Sequence, residues 1–99
     1  MLNQVILVGR LTQDPQGIEL NRKVGTITLA IPRCFKNSEG EYETDFIECE
    51  LWNMVAETTT EYCKKGDIVG VKGRLESRDN KLVVVAEKIT FLSSRKEGE

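Results

Sequence analysis

The chain contains no histidine, and its three cysteines, Cys34, Cys49 and Cys63, stand far apart. The first absence removes the commonest general base, and no nucleophile is matched with a plausible activating partner, so catalysis is not expected. The cysteine spacing excludes a paired disulfide framework and the close ligand pairs of a zinc site, so neither a metal nor a cofactor is expected. Cys49 and Cys63 lie on apolar faces and are expected in the core, with Cys34 more exposed. No apolar run approaches the roughly 20 residues that span a bilayer, and the opening Met1-Leu2-Asn3-Gln4 lacks the basic segment of a secretory signal. A cytoplasmic protein is expected. Basic residues are missing from one long stretch: residues 39–50 carry Glu39, Glu41, Glu43, Asp45, Glu48 and Glu50 with no Lys or Arg. Without those six, the formal charge of −2 becomes +4 for the remainder. A negative total therefore leaves room for a positive groove. What is present, 99 residues of which 39% are hydrophobic and 30% charged, suits one globular domain.

The informative stretch is Asp45 to Trp52. Read with a period of two, Ile47, Cys49 and Leu51 share one face of a strand, and Phe46, Glu48, Glu50 and Trp52 share the other. The first face is small and apolar, as a core requires. The second carries two large rings with carboxylates between them, and rings on the wet side gain nothing from burial unless something covers them. A nucleobase fits, because every base offers a π-face. The alternative is a parity slip at a bulge that lets Trp52 cap the core.

The other elements follow in order. Gln4 to Leu11 reads as a strand with Val5, Leu7 and Leu11 on one face and Ile6, Val8 and Arg10 on the other, apolar enough on both to be covered twice. Gly9 marks a bend or close backbone approach within it. Thr12 to Asn21, with Asp14-Pro15 and Gly17, is a turn-rich loop. Val24 to Arg33 alternates Ile27, Leu29 and Ile31 against Thr26, Thr28 and Ala30 until Pro32 ends regular pairing or places it at an edge. Arg33-Cys34-Phe35-Lys36 then sets one ring between two cations, where Phe35 either anchors the following loop or binds a ligand. A helix is predicted over Met54–Lys65, with Asn53 as N-cap and Gly66 as the stop. Its Val55, Thr59, Tyr62 and Cys63 would plug one end of a barrel, with Tyr62 in the core. Asp67 to Arg78 and Lys81 to Phe91 are the last strands, joined by a tight Asp79-Asn80 turn. The expected fold is therefore all-β, a five-stranded OB-fold Greek-key barrel with one short helix between the third and fourth strands. Residues 1–92 would form the domain and 93–99 a frayed polar tail.

Residues Leu2 to Pro15, Asp45-Phe46 to Trp52, Ala56-Glu57, Tyr62, Lys65-Gly66, Gly73-Arg74-Leu75 and Phe91-Leu92 resemble, in order, the bacterial single-stranded DNA-binding proteins. The resemblance covers nearly the whole chain. It implies base stacking on Phe35, Phe46 and Trp52, which favours the binding reading of Trp52. It also implies a homotetramer in which first strands pair across a dimer interface, with a dimer as second choice, and a nucleoid-associated place in the cytoplasm. Three features depart from the family. The hairpin Arg78-Asp79-Asn80-Lys81 is short and lacks an aromatic, and Glu48 and Glu50 stand where neutral or basic residues are usual. These 99 residues also do not include the acidic tail that recruits replication and repair proteins, as expected of either a truncated chain or a variant without that role.

The expected function is sequence-independent binding and protection of single-stranded DNA in replication, recombination and repair. Arg10, Arg33, Lys36, Lys72, Arg74, Arg78 and Lys81 would supply the charge for its backbone. Stacking does not see the sugar, so RNA stays open. The alternative is an OB-fold adaptor, similar to primosomal proteins, that acts mainly through protein partners.

Overall fold

The computed structural model describes residues 1–16 and 24–93. The elements are β1 (Val5–Leu11), β2 (Val24–Lys36), β3 (Tyr42–Trp52), α1 (Asn53–Tyr62), β4 (Ile68–Arg78) and β5 (Lys81–Ser93). The strands close into a barrel in the order β1-β2-β3-β5-β4, antiparallel throughout except where β3 meets β5 in parallel at Cys49–Val84 and Glu50–Val85. This is the OB-fold that the strand order predicts. Ser93 ends β5 rather than opening a tail. The rest of the expected tail, residues 94–99, and residues 17–23 of the first loop region lie outside the described residues.

The core is the inward parity of each strand. Leu11, Ile27, Leu29, Cys49, Leu51, Val69, Val71, Val84 and Ala86 pack together, with Ala56 and Cys63 closing one end. Each fully buried leucine contributes on the order of 1.5–3 kcal/mol. Burial raises both inner thiols, Cys49 and Cys63, to about 11, while Cys34 is exposed. Gly9 sits where β1 passes from pairing β4 to pairing β2 at Arg10–Ala30 and Leu11–Leu29. A Cβ there would lie 2.8 Å from Ile31 Cγ1 and 3.0 Å from the Ala30 carbonyl, so only glycine fits without a shift. Gly73 has a similar constraint, since a Cβ would collide with the Val85 carbonyl beside the irregularity between Lys72 and Gly73.

Strands β2 and β3 run further than the sequence suggests. Pro32, which cannot donate to a ladder, still stands opposite Thr44, and pairing resumes at Lys36–Tyr42 after a register shift. The turn beyond is built by Asn37, whose Oδ1 accepts from the Glu39 and Glu41 amides at 2.9 and 3.0 Å, and by Gly40 at φ 78°. The Asp79-Asn80 turn has φ of 50° and 65°, the pair of left-handed residues a two-residue hairpin needs.

The helix differs most from expectation. It spans Asn53–Tyr62, with no side-chain cap at its start, and Cys63 is already extended. Asn53 does not cap it; Asn53 itself turns the chain, at φ 51°. The expected last turn is captured by carboxylates instead: Lys64 N–H donates to Asp67 Oδ2 at 2.9 Å and Lys65 N–H to Asp14 Oδ1 at 2.7 Å. Cys63 takes the buried position next to Thr59, and Tyr62 is left 61% exposed. Tyr62 is therefore not a core residue; its ring leans on Phe91 at 5.8 Å.

Candidate nucleic-acid interface

The outer face of β2 and β3 is an open platform. Opposing residues of an antiparallel pair share a face. Val24, Thr26, Thr28 and Ala30 on β2 face outward beside Trp52, Glu50, Glu48 and Phe46 on β3. The small β2 side chains leave the rings uncovered: Phe46 is 67% and Trp52 42% exposed. No bulge interrupts β3 between them, so the alternative of a slipped Trp52 is removed. Six residues of strand separate the two rings by about 20 Å. Phe35 is 83% exposed near the far end of β2. It does not anchor its loop to the core.

Trp52 is held at its edge. Its Nε1–H donates to Glu50 Oε1 at 3.1 Å. Arg78 Nη1 donates to both oxygens of Glu50 at 2.8 Å, and Arg78 Nη2 donates to Glu76 at 2.6 Å. Glu76 also accepts from Arg74 at 2.6 Å, and Arg74 reaches Glu87 at 3.0 Å. Hydrogen bonds from Arg78 and then Arg74 hold the Glu76 carboxyl below its usual range. Beside this chain of pairs lies a cleft of about 420 Å³, walled by Trp52, Val55, Val85 and Ala86.

Residues 2–92 match the family model described as the single-strand binding protein family. The chain belongs to this family. It is 44% identical to single-stranded DNA-binding protein 3 of Listeria innocua, over 99% of this chain and 68% of that one. It is 50% identical to single-stranded DNA-binding protein B of Bacillus subtilis, over 79% of this chain and 71% of that one. Among solved structures, a deletion mutant of the Thermus aquaticus single-stranded DNA binding protein is 34% identical with a TM-score of 0.71, covering 99% of this chain and 45% of that one. The Plasmodium falciparum SSB in complex with ssDNA has a TM-score of 0.77 at 21% identity, covering 94% of this chain and 96% of that one, a likeness of fold.

Within this family fold the expected cations divide into three groups. Arg10 stands in one row with Ala30 and Phe46 across β1, β2 and β3, its guanidinium donating to the Gly66 carbonyl at 2.7 Å. Lys36 lies 5.7 Å from the centre of the Tyr42 ring, and Lys81 is paired with Arg78 across the hairpin. These three make no ion pair with another described residue. Arg33, Arg74 and Arg78 are occupied by carboxylates; Arg33 is bound by Asp45 at 2.9 Å, with Glu43 at 3.6 Å. That fork holds the Asp45 carboxyl below its usual range. Lys72 has the same outward parity of β4 as Arg74 but stands opposite Ile6 of β1, beside a shallow apolar depression formed by Ile6, Val8 and Leu92.

Tyr42 was not among the expected site residues. It shares the outward parity of Thr44 and Phe46 and is exposed, so it extends the ring row to the hairpin. Starting the strand at Asp45 hides it; continuing the alternation back past Thr44 would find it. The two carboxylates of the platform also differ. Glu50 is paired, whereas Glu48, between the rings, has no ion pair with another described residue.

Proposed function

We propose that the chain binds single-stranded DNA without sequence preference, coating strands exposed in replication, recombination and repair. The observation that carries this reading is the row of solvent-facing rings on the uninterrupted outer face of β3. Phe35, Phe46 and Trp52 each stack a base at separate points along the strand, with Tyr42 as a further platform, and stacking of this kind tolerates any base. Arg10, Lys36 and Lys81 contact phosphate directly, and Arg33, Arg74 and Arg78 are a second, occupied set. Lys72 lies off this path. No step is catalytic, and the setting is the bacterial cytoplasm.

Self-association is part of the proposal. Ile6 and Val8 on the outer face of β1 are exposed, and pairing of first strands between two copies would cover them. A homotetramer is the expected assembly, with a dimer second. The deciding experiment is a titration with oligo-dT that follows Trp52 fluorescence. Strong quenching at low protein concentration is expected. Its absence, with a protein partner found instead, would favour the adaptor reading.

A further inference from the structure

Two guanidiniums and two carboxylates line the cleft beside Trp52, and a third carboxylate, Glu50, pairs with one of the guanidiniums. Arg74 lies between Glu76 and Glu87, and Arg78 between Glu50 and Glu76, with contacts from 2.6 to 3.0 Å. The group carries a net charge of −1, so an approaching phosphate meets repulsion where the sequence alone suggests a cationic patch. Yet both guanidiniums are reachable, Arg74 being 41% and Arg78 39% exposed in the side chain. Carboxylate and phosphate present similar oxygen pairs to the guanidinium fork. Exposed pairs of this kind are weak enough to exchange.

We propose that Glu76 and Glu87, with Glu50, act as resident competitors of nucleic-acid phosphate. They keep Arg74 and Arg78 ordered but occupied, and the strand reaches these two cations only by displacing them. This rests on the proposed single-strand binding. It adds a consequence that the rings and cations alone do not carry: the protein holds its strand less tightly and releases it faster than its arginine content suggests. Glu50 has an additional positioning part, because its Oε1 also receives the Trp52 N–H.

The test compares the unmodified protein, Glu76→Gln, and Glu76→Gln with Glu87→Gln for binding to fluorescently labelled oligo-dT by anisotropy and stopped flow. Amides of the same shape leave the partly exposed side chains in place, and melting curves verify this. The double variant is expected to bind about threefold to tenfold tighter at low salt, the range of one or two exposed ion pairs. Dissociation should slow, and the salt dependence of log K should steepen by about 0.7 for each guanidinium the strand newly reaches. Glu76→Gln alone should give most of the gain, since it touches both arginines. The same substitutions in an Arg74→Ala, Arg78→Ala background should give none. A gain of equal size in that background would mean long-range repulsion and overturn the proposal. Unchanged or weaker binding by the double variant would also overturn it. If the unmodified protein does not bind oligo-dT at all, the single-strand reading itself falls, and this inference with it.

Discussion

Removing the Phe46 ring gives the cleanest measure of how much stacking contributes. The side chain is 67% exposed and faces away from the core, with Ala30 opposite it, so Phe46→Ala costs the fold little. Stacking is worth roughly 1–3 kcal/mol per base, which predicts a loss of affinity for oligo-dT of about one to two decades. Trp52 is the only tryptophan in the chain, so this variant keeps its reporter and the titration is read by quenching. Trp52→Ala needs a labelled oligonucleotide, and its interpretation is less simple. That ring is more than half covered, shares its cleft with Val55 and Val85, and its N–H holds Glu50. A similar loss of binding is expected there, accompanied by a lower melting temperature. Tyr62→Phe is the control: its ring leans on Phe91 beyond the platform, and affinity should hardly change. Undiminished binding by Phe46→Ala would refute the assignment of the face, and so would an equal loss in Tyr62→Phe.

Three other outcomes are expected. Glu48 lies between the rings without an ion pair to another described residue and would face the phosphates of the proposed strand, and repulsion between such charges is about 1 kcal/mol at contact distance in water. Glu48→Gln should bind oligo-dT severalfold tighter at low salt, with the gain shrinking as salt is added; no gain at low salt would show that the carboxylate points away from the strand. Val8→Lys places a charge on the exposed outer face of β1, and sedimentation should then show a smaller species than the unmodified chain, whereas an unchanged oligomer would place the interface elsewhere. Glu76 ionises below its ordinary value of 4.5 when folded. Its pairing therefore stabilises the fold above that value and is lost as pH falls through the lower, folded one. The small difference in melting temperature between Glu76→Gln and the unmodified protein should close in acid, and a difference that persists there would contradict the pairing.

The barrel was legible because its signals are local and periodic. Ile27, Leu29 and Ile31 against Thr26, Thr28 and Ala30 fix the inward face of β2 before any partner is known, and the same alternation places Phe46 and Trp52 outside. Gly9 and Asp79-Asn80 were readable for a related reason, since backbone geometry restricts which residues fit there. What the sequence hid depends on distant partners. Pro32 reads as an end, but the register shift after it lets β2 and β3 pair on to Lys36–Tyr42, which brings Tyr42 into the ring row. Asp14 reaches across 51 positions to the Lys65 amide, so the helix stops at Tyr62 although Gly66 looks like its natural end. Arg78 and Glu50 lie 28 positions apart. Alternation could put both on outward faces, but only the closing of the barrel makes them partners.

That last pairing changes how strongly salt should act on binding. Seven cations read from the sequence would neutralise up to seven phosphates, and at about −0.7 each for single strands the slope of log K against log salt would approach −5. Arg33, Arg74 and Arg78 begin in carboxylate forks, and Lys72 stands opposite Ile6, on the stretch assigned to pairing between copies. Arg10, Lys36 and Lys81 remain, and three phosphates give a slope of about −2. The rings add affinity without adding to this slope, because stacking releases no counterions. Binding of the unmodified protein to oligo-dT should therefore weaken only about 20-fold between 50 and 200 mM salt, where seven free contacts would cost nearly a thousandfold. A measured slope near −5 would mean that phosphate strips the carboxylates from all three arginines and that Lys72 reaches the strand as well. A slope near −2 would mean that affinity rests mainly on the rings.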